Sequence, residues 1–163
     1  MKFAIFFLKK HEDTKKVKLE NFKSRTSPNF SEIEDMGSRP WGKEELLGLV
    51  AGKYMLKKLT IKAGSKGGLQ YHRFKDECGY LLSGKLIVCH EDQQGKIIEK
   101  IVQPGQSFHF PPGVVHQEEA LEDYVTIEGS TLHFNDRVRM EEHFGLDNSE
   151  GMPSTDDSDI EER

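Results

Sequence analysis

Gly64-Ser-Lys-Gly-Gly-Leu-Gln70-Tyr-His72-Arg-Phe-Lys-Asp-Glu77, a further glycine at Gly84, and Pro104-Gly105-Gln-Ser-Phe-His-Phe-Pro-Pro112-Gly113-Val-Val-His116 decide the fold of this chain. Gln70 and His72 stand two residues apart, so on one strand they point to the same face. Glu77 follows a short turn, and the Pro-Gly-x-x-His end returns a second imidazole from a later strand. Two imidazoles and a carboxylate suit zinc, iron or manganese, and an amide oxygen can complete the shell. Gln70, His72, Glu77 and His116 are therefore the candidate metal ligands. Converging strands that carry them build a barrel with a polar pocket inside.

Outward from that stretch the chain reads as many short strands. Tyr54 to Lys62 alternates, with Leu59 and Ile61 on one face. Tyr80–Gly84 and Lys85–Val88 read as strands joined at a glycine that bends the chain. His90–Gly95 is a hairpin loop with Ile97–Val102 as its return strand, and Ser107–Phe110, Tyr124–Glu128 and Thr131–Phe134 follow as strands. Asp136–Phe144 is expected to form a short helix. Turn signals every eight to twelve residues predict an all-β barrel or sandwich. No glycine-rich loop opens a helix, which argues against a nucleotide-binding fold.

The 163 residues suffice for one domain with a core, with 35% hydrophobic and 31% charged residues. The net charge of −5 is unevenly spread. Residues 1–26 carry eight Lys or Arg against three acids, and residues 147–163 carry seven acids against Arg163. The expected organisation is a basic extension over 1–35, a domain over 36–146 and an acidic, disordered tail over 147–163. Within the extension, Phe3–Leu8 is a candidate edge strand. The basic end lacks an Arg cluster with interleaved aromatics, so no nucleic-acid partner is expected. No run reaches membrane-helix length and no cleavage site follows the apolar start, so neither membrane insertion nor secretion is expected. Cys78 and Cys89 form no disulfide framework and are read as buried thiols of a reducing, cytoplasmic compartment. Trp41, the one tryptophan, is expected to cover an end of the core, Phe74 to narrow the pocket, and His109 to face outward between Phe108 and Phe110. Glu118 and Glu119 are read as surface charges at a strand end.

With these residues in view, the chain resembles the cupin superfamily. Gly64, His72, Glu77 and Gly84 fit the spacing of its first signature box, with Gln70 in place of the first histidine. Gly105, Pro111, Gly113 and His116 fit the second box, and Ala120 stands where an asparagine is usual. More narrowly it is similar to the cupin domain of type II mannose-6-phosphate isomerases, often fused to a mannose-1-phosphate guanylyltransferase. Arg39-Pro40-Trp41-Gly42, Leu69-Gln70-Tyr71-His72 with Glu77, and the segment from Asp136 to Gly145 carry that likeness. Phe74, Lys75, Cys78, Gly79 and His143 depart from the usual residues of those isomerases.

The resemblance implies a double-stranded β-helix, or jelly-roll, barrel. It implies a divalent metal, zinc foremost, with manganese, cobalt or iron as alternatives, on Gln70, His72, Glu77 and His116. It also implies a sugar phosphate or nucleotide sugar as ligand, aldose–ketose isomerisation as activity, and a homodimer. Arg139 and Lys57 are the candidate catalytic cations, since a guanidinium suits a bidentate grip on phosphate. Two alternatives stand beside this: a non-catalytic cupin that binds a sugar ligand, and a metal-dependent oxygenase built on the two-His-one-carboxylate set.

Overall fold

A computed structural model of the chain describes Phe30, residues 32–147 and residues 152–161. The expected edge strand Phe3–Leu8 lies outside the described residues. Eleven strands follow in order: β1 (Glu34–Arg39), β2 (Gly42–Val50), β3 (Tyr54–Ile61), β4 (Gln70–Tyr71), β5 (Glu77–Ser83), β6 (Leu86–Glu91), β7 (Ile97–Val102), β8 (Ser107–Phe110), β9 (His116–Ala120), β10 (Tyr124–Ser130) and β11 (Val138–Arg139). They form two antiparallel sheets. The first runs β1-β2-β3-β10-β5-β8 and the second β11-β4-β9-β6-β7. These are the two walls of a jelly-roll barrel.

Strand alternation explains what the barrel encloses. Met55, Lys57 and Ile61 of β3 point inward, opposite Ser130, Glu128 and Tyr124 of β10. At one end, Ile61, Leu81, Leu86, Val88, Val102, Phe110, Ala120 and Tyr124 close into the main apolar core, with Trp41 packed against it as expected. Further along the same strands the inward positions turn charged. Beyond them Leu46, Met55 and Leu132 make a second, smaller cluster. The interior is thus an apolar floor, a charged band and a small apolar cluster.

Two glycines fix the corners. Gly84 has φ of +81°, and a Cβ there would stand 2.1 Å from the Asp123 carbonyl oxygen, so only glycine allows the turn from β5 into β6. In the Arg39-Pro40-Trp41-Gly42 turn, a Cβ on Gly42 would meet the Thr60 carbonyl oxygen at 1.9 Å. That contact lets β2 lie against β3.

Several sequence expectations are corrected. The segment from Asp136 forms no helix: β11 pairs with β4, and only a turn follows at Glu141–Gly145. A helix of that length is marginal by itself, and an open strand edge offers its backbone a better partner. Thr131–Phe134 is not a regular strand, because the chain leaves β10 at Thr131, where the Thr131 N–H donates to Asp76 O and the Asp76 N–H to Thr131 Oγ1. Cys89 is buried, and burial pushes its thiol pKa up, but Cys78 is exposed on the outer face of β5. Phe74 is 54% exposed and packs near His133 at 5.8 Å between ring centroids, so it does not narrow the interior.

The acidic tail read as disordered carries an ordered stretch. Met152 to Glu161, with a short 3-10 turn at Asp157–Asp159, lies along residues 134–139. Thr155 N–H donates to Arg137 O at 3.0 Å, Phe134 N–H to Glu161 O at 3.2 Å, and Asn135 Nδ2 to Asp159 O at 2.7 Å. Arg73 Nε pairs with Asp157 at 2.6 Å. These contacts are polar and long-range, so no apolar periodicity announces them.

Candidate metal centre

His72, Glu77 and His116 come together inside the barrel from three separate places in the chain. His72 follows β4, Glu77 opens β5 and His116 opens β9. Their ligand atoms all lie within 4.8 Å of one another. Glu77 Oε1 stands 3.3 Å from His72 Nε2 and 3.4 Å from His116 Nε2. Both histidines are 4% exposed.

The far side of each imidazole is fixed by the backbone. His72 Nδ1 meets the Asp136 carbonyl oxygen, and His116 Nδ1 lies 2.9 Å from the Val114 carbonyl oxygen. A carbonyl only accepts, so each Nδ1 carries the proton and donates it. In the neutral tautomer each Nε2 therefore turns a lone pair toward Glu77 Oε1. Three lone pairs converging on one point repel unless a proton or a cation lies among them. This donor set fits a divalent metal, and carbonyl-anchored imidazoles are the arrangement that orients histidine ligands.

Neighbouring charges support the same geometry. Burial opposes ionisation of Glu77, yet the Lys75 ammonium leads the influences that outweigh it and hold the carboxyl well below the usual range. The Lys75 ammonium contacts Glu77 Oε2 and lies 3.6 Å from Glu128 Oε1. Asp136 anchors the loop that carries His72. Its buried carboxylate accepts the backbone N–H groups of Arg73 at 3.1 Å, Phe74 at 2.7 Å and Lys75 at 3.0 Å. Phe110 stacks on His116 with centroids 4.0 Å apart and planes 8° apart.

Gln70, the fourth candidate ligand, pairs directly with His116 across β4 and β9. Opposed residues of an antiparallel pair share a face, which places Gln70 beside the triad. The two candidate catalytic cations have partners elsewhere. Arg139 grips the Glu141 carboxylate, with Nε 3.0 Å from Oε2, and Glu141 Oε1 accepts the Leu69 N–H at 3.0 Å. Lys57 pairs with Glu44 Oε1 at 2.7 Å, its Nζ 5.4 Å from the Phe134 ring centroid. His109 faces outward as expected and pairs with Asp76 at 2.6 Å.

Glu118, read from the sequence as a surface charge at a strand end, turns inward instead. It lies two residues after His116 on β9, so it shares the inward face. Its Oε2 accepts the Tyr124 hydroxyl at 2.6 Å. Burial, joined by the nearby Glu77 and Glu128 charges, pushes its carboxyl up to about 7 against the pull of Tyr124 and His116. The i, i+2 spacing from a ligand histidine was the available signal.

The family comparison agrees with this architecture, since residues 57–127 match the cupin domain family. This region of the chain is a cupin domain. The chain is 29% identical over 136 residues to a putative mannose-1-phosphate guanylyltransferase of Vibrio cholerae serotype O1, covering 80% of this chain and 28% of that protein. It is 30% identical to the xanthan biosynthesis protein XanB of Xanthomonas campestris pv. campestris, over 66% of this chain and 23% of XanB. The chain thus spans about a quarter of the length of these curated relatives. Among solved structures, it is 28% identical to an RmlC-like cupin from Shewanella frigidimarina, with a TM-score of 0.51, covering 64% of this chain and 90% of that one. The cupin barrel carries its His-Glu-His set at the box positions read from the sequence, and no helix among the described residues is long and apolar enough to cross a membrane.

Proposed function

We propose that this cupin is a metal-dependent enzyme acting on a sugar phosphate or nucleotide sugar, with aldose–ketose isomerisation as its reaction. One observation carries the reading: a carboxyl group, Glu118, faces the barrel interior from the same strand face as His116 and is held in place by the Tyr124 hydroxyl. His72, Glu77 and His116 would hold the metal, with Gln70 completing the set. The bound ion would polarise the sugar's carbonyl and hydroxyl oxygens as a Lewis acid.

Isomerisation moves one proton between adjacent carbons and needs a base that gives back what it takes. Glu118 removes the proton from C2 of the aldose, leaving an enediol, and returns it to C1 to give the ketose. The proton on the C2 hydroxyl passes to the C1 oxygen, so the reaction needs no oxidant or reductant. Tyr124 orients Glu118, and Phe110 keeps water from one face of His116.

The test is interconversion of mannose 6-phosphate and fructose 6-phosphate by the full chain loaded with zinc, manganese, cobalt or iron in turn. Glu118→Gln is expected to lower kcat by roughly 100-fold or more with metal content unchanged. No interconversion with any metal would overturn the isomerase reading. One observation favours the non-catalytic alternative: Arg139 and Lys57 are committed to Glu141 and Glu44. Ligand binding without turnover would establish it, and oxygen uptake by iron-loaded protein would establish the oxygenase. A homodimer is supported by Leu56, Tyr80 and Leu82, exposed on the outer face of the first sheet. A monomeric mass by light scattering refutes it.

A further inference from the structure

A cavity of about 250 Å³ opens where the barrel edges β7 and β8 approach β6, lined among others by Val88, His90, Lys100, Gln106, Phe108 and Phe110. No aspartate or glutamate lines it. Among its polar side chains Lys100, Gln106 and His90 offer donors, the Ser107 hydroxyl can donate or accept, and His109 is paired with Asp76 at 2.6 Å. Lys100, on the inward-facing side of β7 opposite Val88, has no carboxylate partner among the described residues. Gln106 Oε1 already accepts the Gln103 N–H at 2.8 Å, which leaves its amide N–H groups to donate. His90 Nδ1 lies 3.1 Å from the Glu91 carbonyl oxygen, which leaves Nε2 for the cavity side.

The cavity adjoins the metal centre through shared residues. Phe110 lines it and stacks on His116. His90 lies directly opposite His116 across β6 and β9. Lys100 lies opposite Val88, two residues further along β6. Two inter-strand steps and two residues of rise put the Lys100 and His116 Cα atoms roughly 12 Å apart. That separation suits the length of a single phosphorylated sugar.

We infer that this cavity is the subsite for the ligand's anionic group, with Lys100 as its principal charge and Gln106 and His90 as neutral donors. The inference rests on the proposed function and narrows its ligand class to sugars carrying an oxyanion at the end remote from the reacting carbons. The chemistry admits a phosphate or a carboxylate, and the compactness of a lysine ammonium accepts either.

The experiment is calorimetric titration of the full-length, zinc-loaded chain with fructose 6-phosphate, fructose, glucuronate and inorganic phosphate, repeated on Lys100→Met and Lys100→Arg. Fructose 6-phosphate should bind at least tenfold tighter than fructose. Lys100→Met should abolish that preference with zinc content and thermal midpoint unchanged, and Lys100→Arg should restore most of it. Preference for glucuronate over phosphate would assign the site to a carboxylate, and the reverse to a phosphate ester. An unchanged preference in Lys100→Met, or equal binding of phosphorylated and plain sugar, overturns the subsite. Isomerisation with an unaltered KM in Lys100→Met leaves the enzyme reading standing and removes the subsite. Lys100-dependent phosphate binding without isomerisation does the opposite.

Discussion

Removing the Asp136 carboxylate should unsettle both the fold and the metal centre. Asp136 is 1% exposed, and its two oxygens accept three consecutive backbone N–H groups, those of Arg73, Phe74 and Lys75. Hydrogen bonds to a charged group contribute about 1.5–3 kcal/mol each, and a buried donor left without a partner incurs its desolvation cost in full. Water can reach the Arg73 and Phe74 amides once the carboxylate is gone, whereas Lys75 is buried. The expected loss for Asp136→Ala is therefore about 3–5 kcal/mol, a large part of the 5–15 kcal/mol typical of a domain. Asp136→Asn keeps the shape but turns an amide toward backbone donors, and about 2–3 kcal/mol is expected. Because the Asp136 carbonyl also anchors His72, zinc affinity should fall by roughly 10–100-fold in the folded variants. Urea unfolding of the metal-free protein gives the stability, and competition with a zinc chelator gives the affinity. A loss under about 1 kcal/mol in Asp136→Ala, with unchanged zinc affinity, would refute the reasoning. The acid limb provides a second check. Burial opposes ionisation of Asp136, but the Phe74, Lys75 and Arg73 N–H groups prevail and lower its pKa. A folded-state pKa below the unfolded value means stability is fully present above the unfolded value, near 3.9, and is lost as pH falls through the lowered one. Asp136→Asn should flatten that limb.

Three further outcomes follow from the same contacts. His72→Ala or His116→Ala should take metal content, measured by mass spectrometry on untagged protein, from about one equivalent to none. Full retention in either would remove that histidine from the ligand set. Gly84→Ala should cost more than about 2 kcal/mol, since it combines φ of +81° with a backbone clash, whereas Gly113→Ala, at φ of +83° in open space, should cost about 1 kcal/mol. Equal urea midpoints for the two would discard the clash argument. Ending the chain at residue 151 should lower stability by about 1–2 kcal/mol, because most of the lost contacts are exposed hydrogen bonds and ion pairs. An unchanged midpoint would mean that residues 152–161 add no stability.

How far the sequence could be read depends on the kind of contact. The strands showed themselves through alternation, and β8 falls on Ser107–Phe110, the span expected. His72, Glu77 and His116 were legible because their spacing is a backbone property: a turn after β4 and a return at Pro112-Gly113. Glu118 was less visible, because a glutamate at a strand end looks the same whether it faces water or the barrel. The partner of Lys57 was invisible as well, because Lys57 meets Glu44 across a strand pair, whereas Glu141 stands two residues from Arg139 and was legible as its partner. Asp136 lies more than sixty positions from the amides it holds, a closure that no local pattern encodes.

The layering of the barrel interior separates two kinds of evolutionary change. Substitutions among Ile61, Leu81, Leu86, Val102 and Ala120 alter the floor, where volume alone matters. Substitutions at Glu44, Lys57, Lys75, Glu77, Glu118 or Glu128 alter a linked set of charges, four carboxyls around two lysines, in which each member answers for its neighbour. The floor can drift one residue at a time. The charged band must change in pairs, so a lineage that altered its chemistry there would carry the record as coupled replacements, such as Lys75 changing together with Glu128. A stabilised version of this protein is best sought in the floor, where gains in packing leave the metal centre alone.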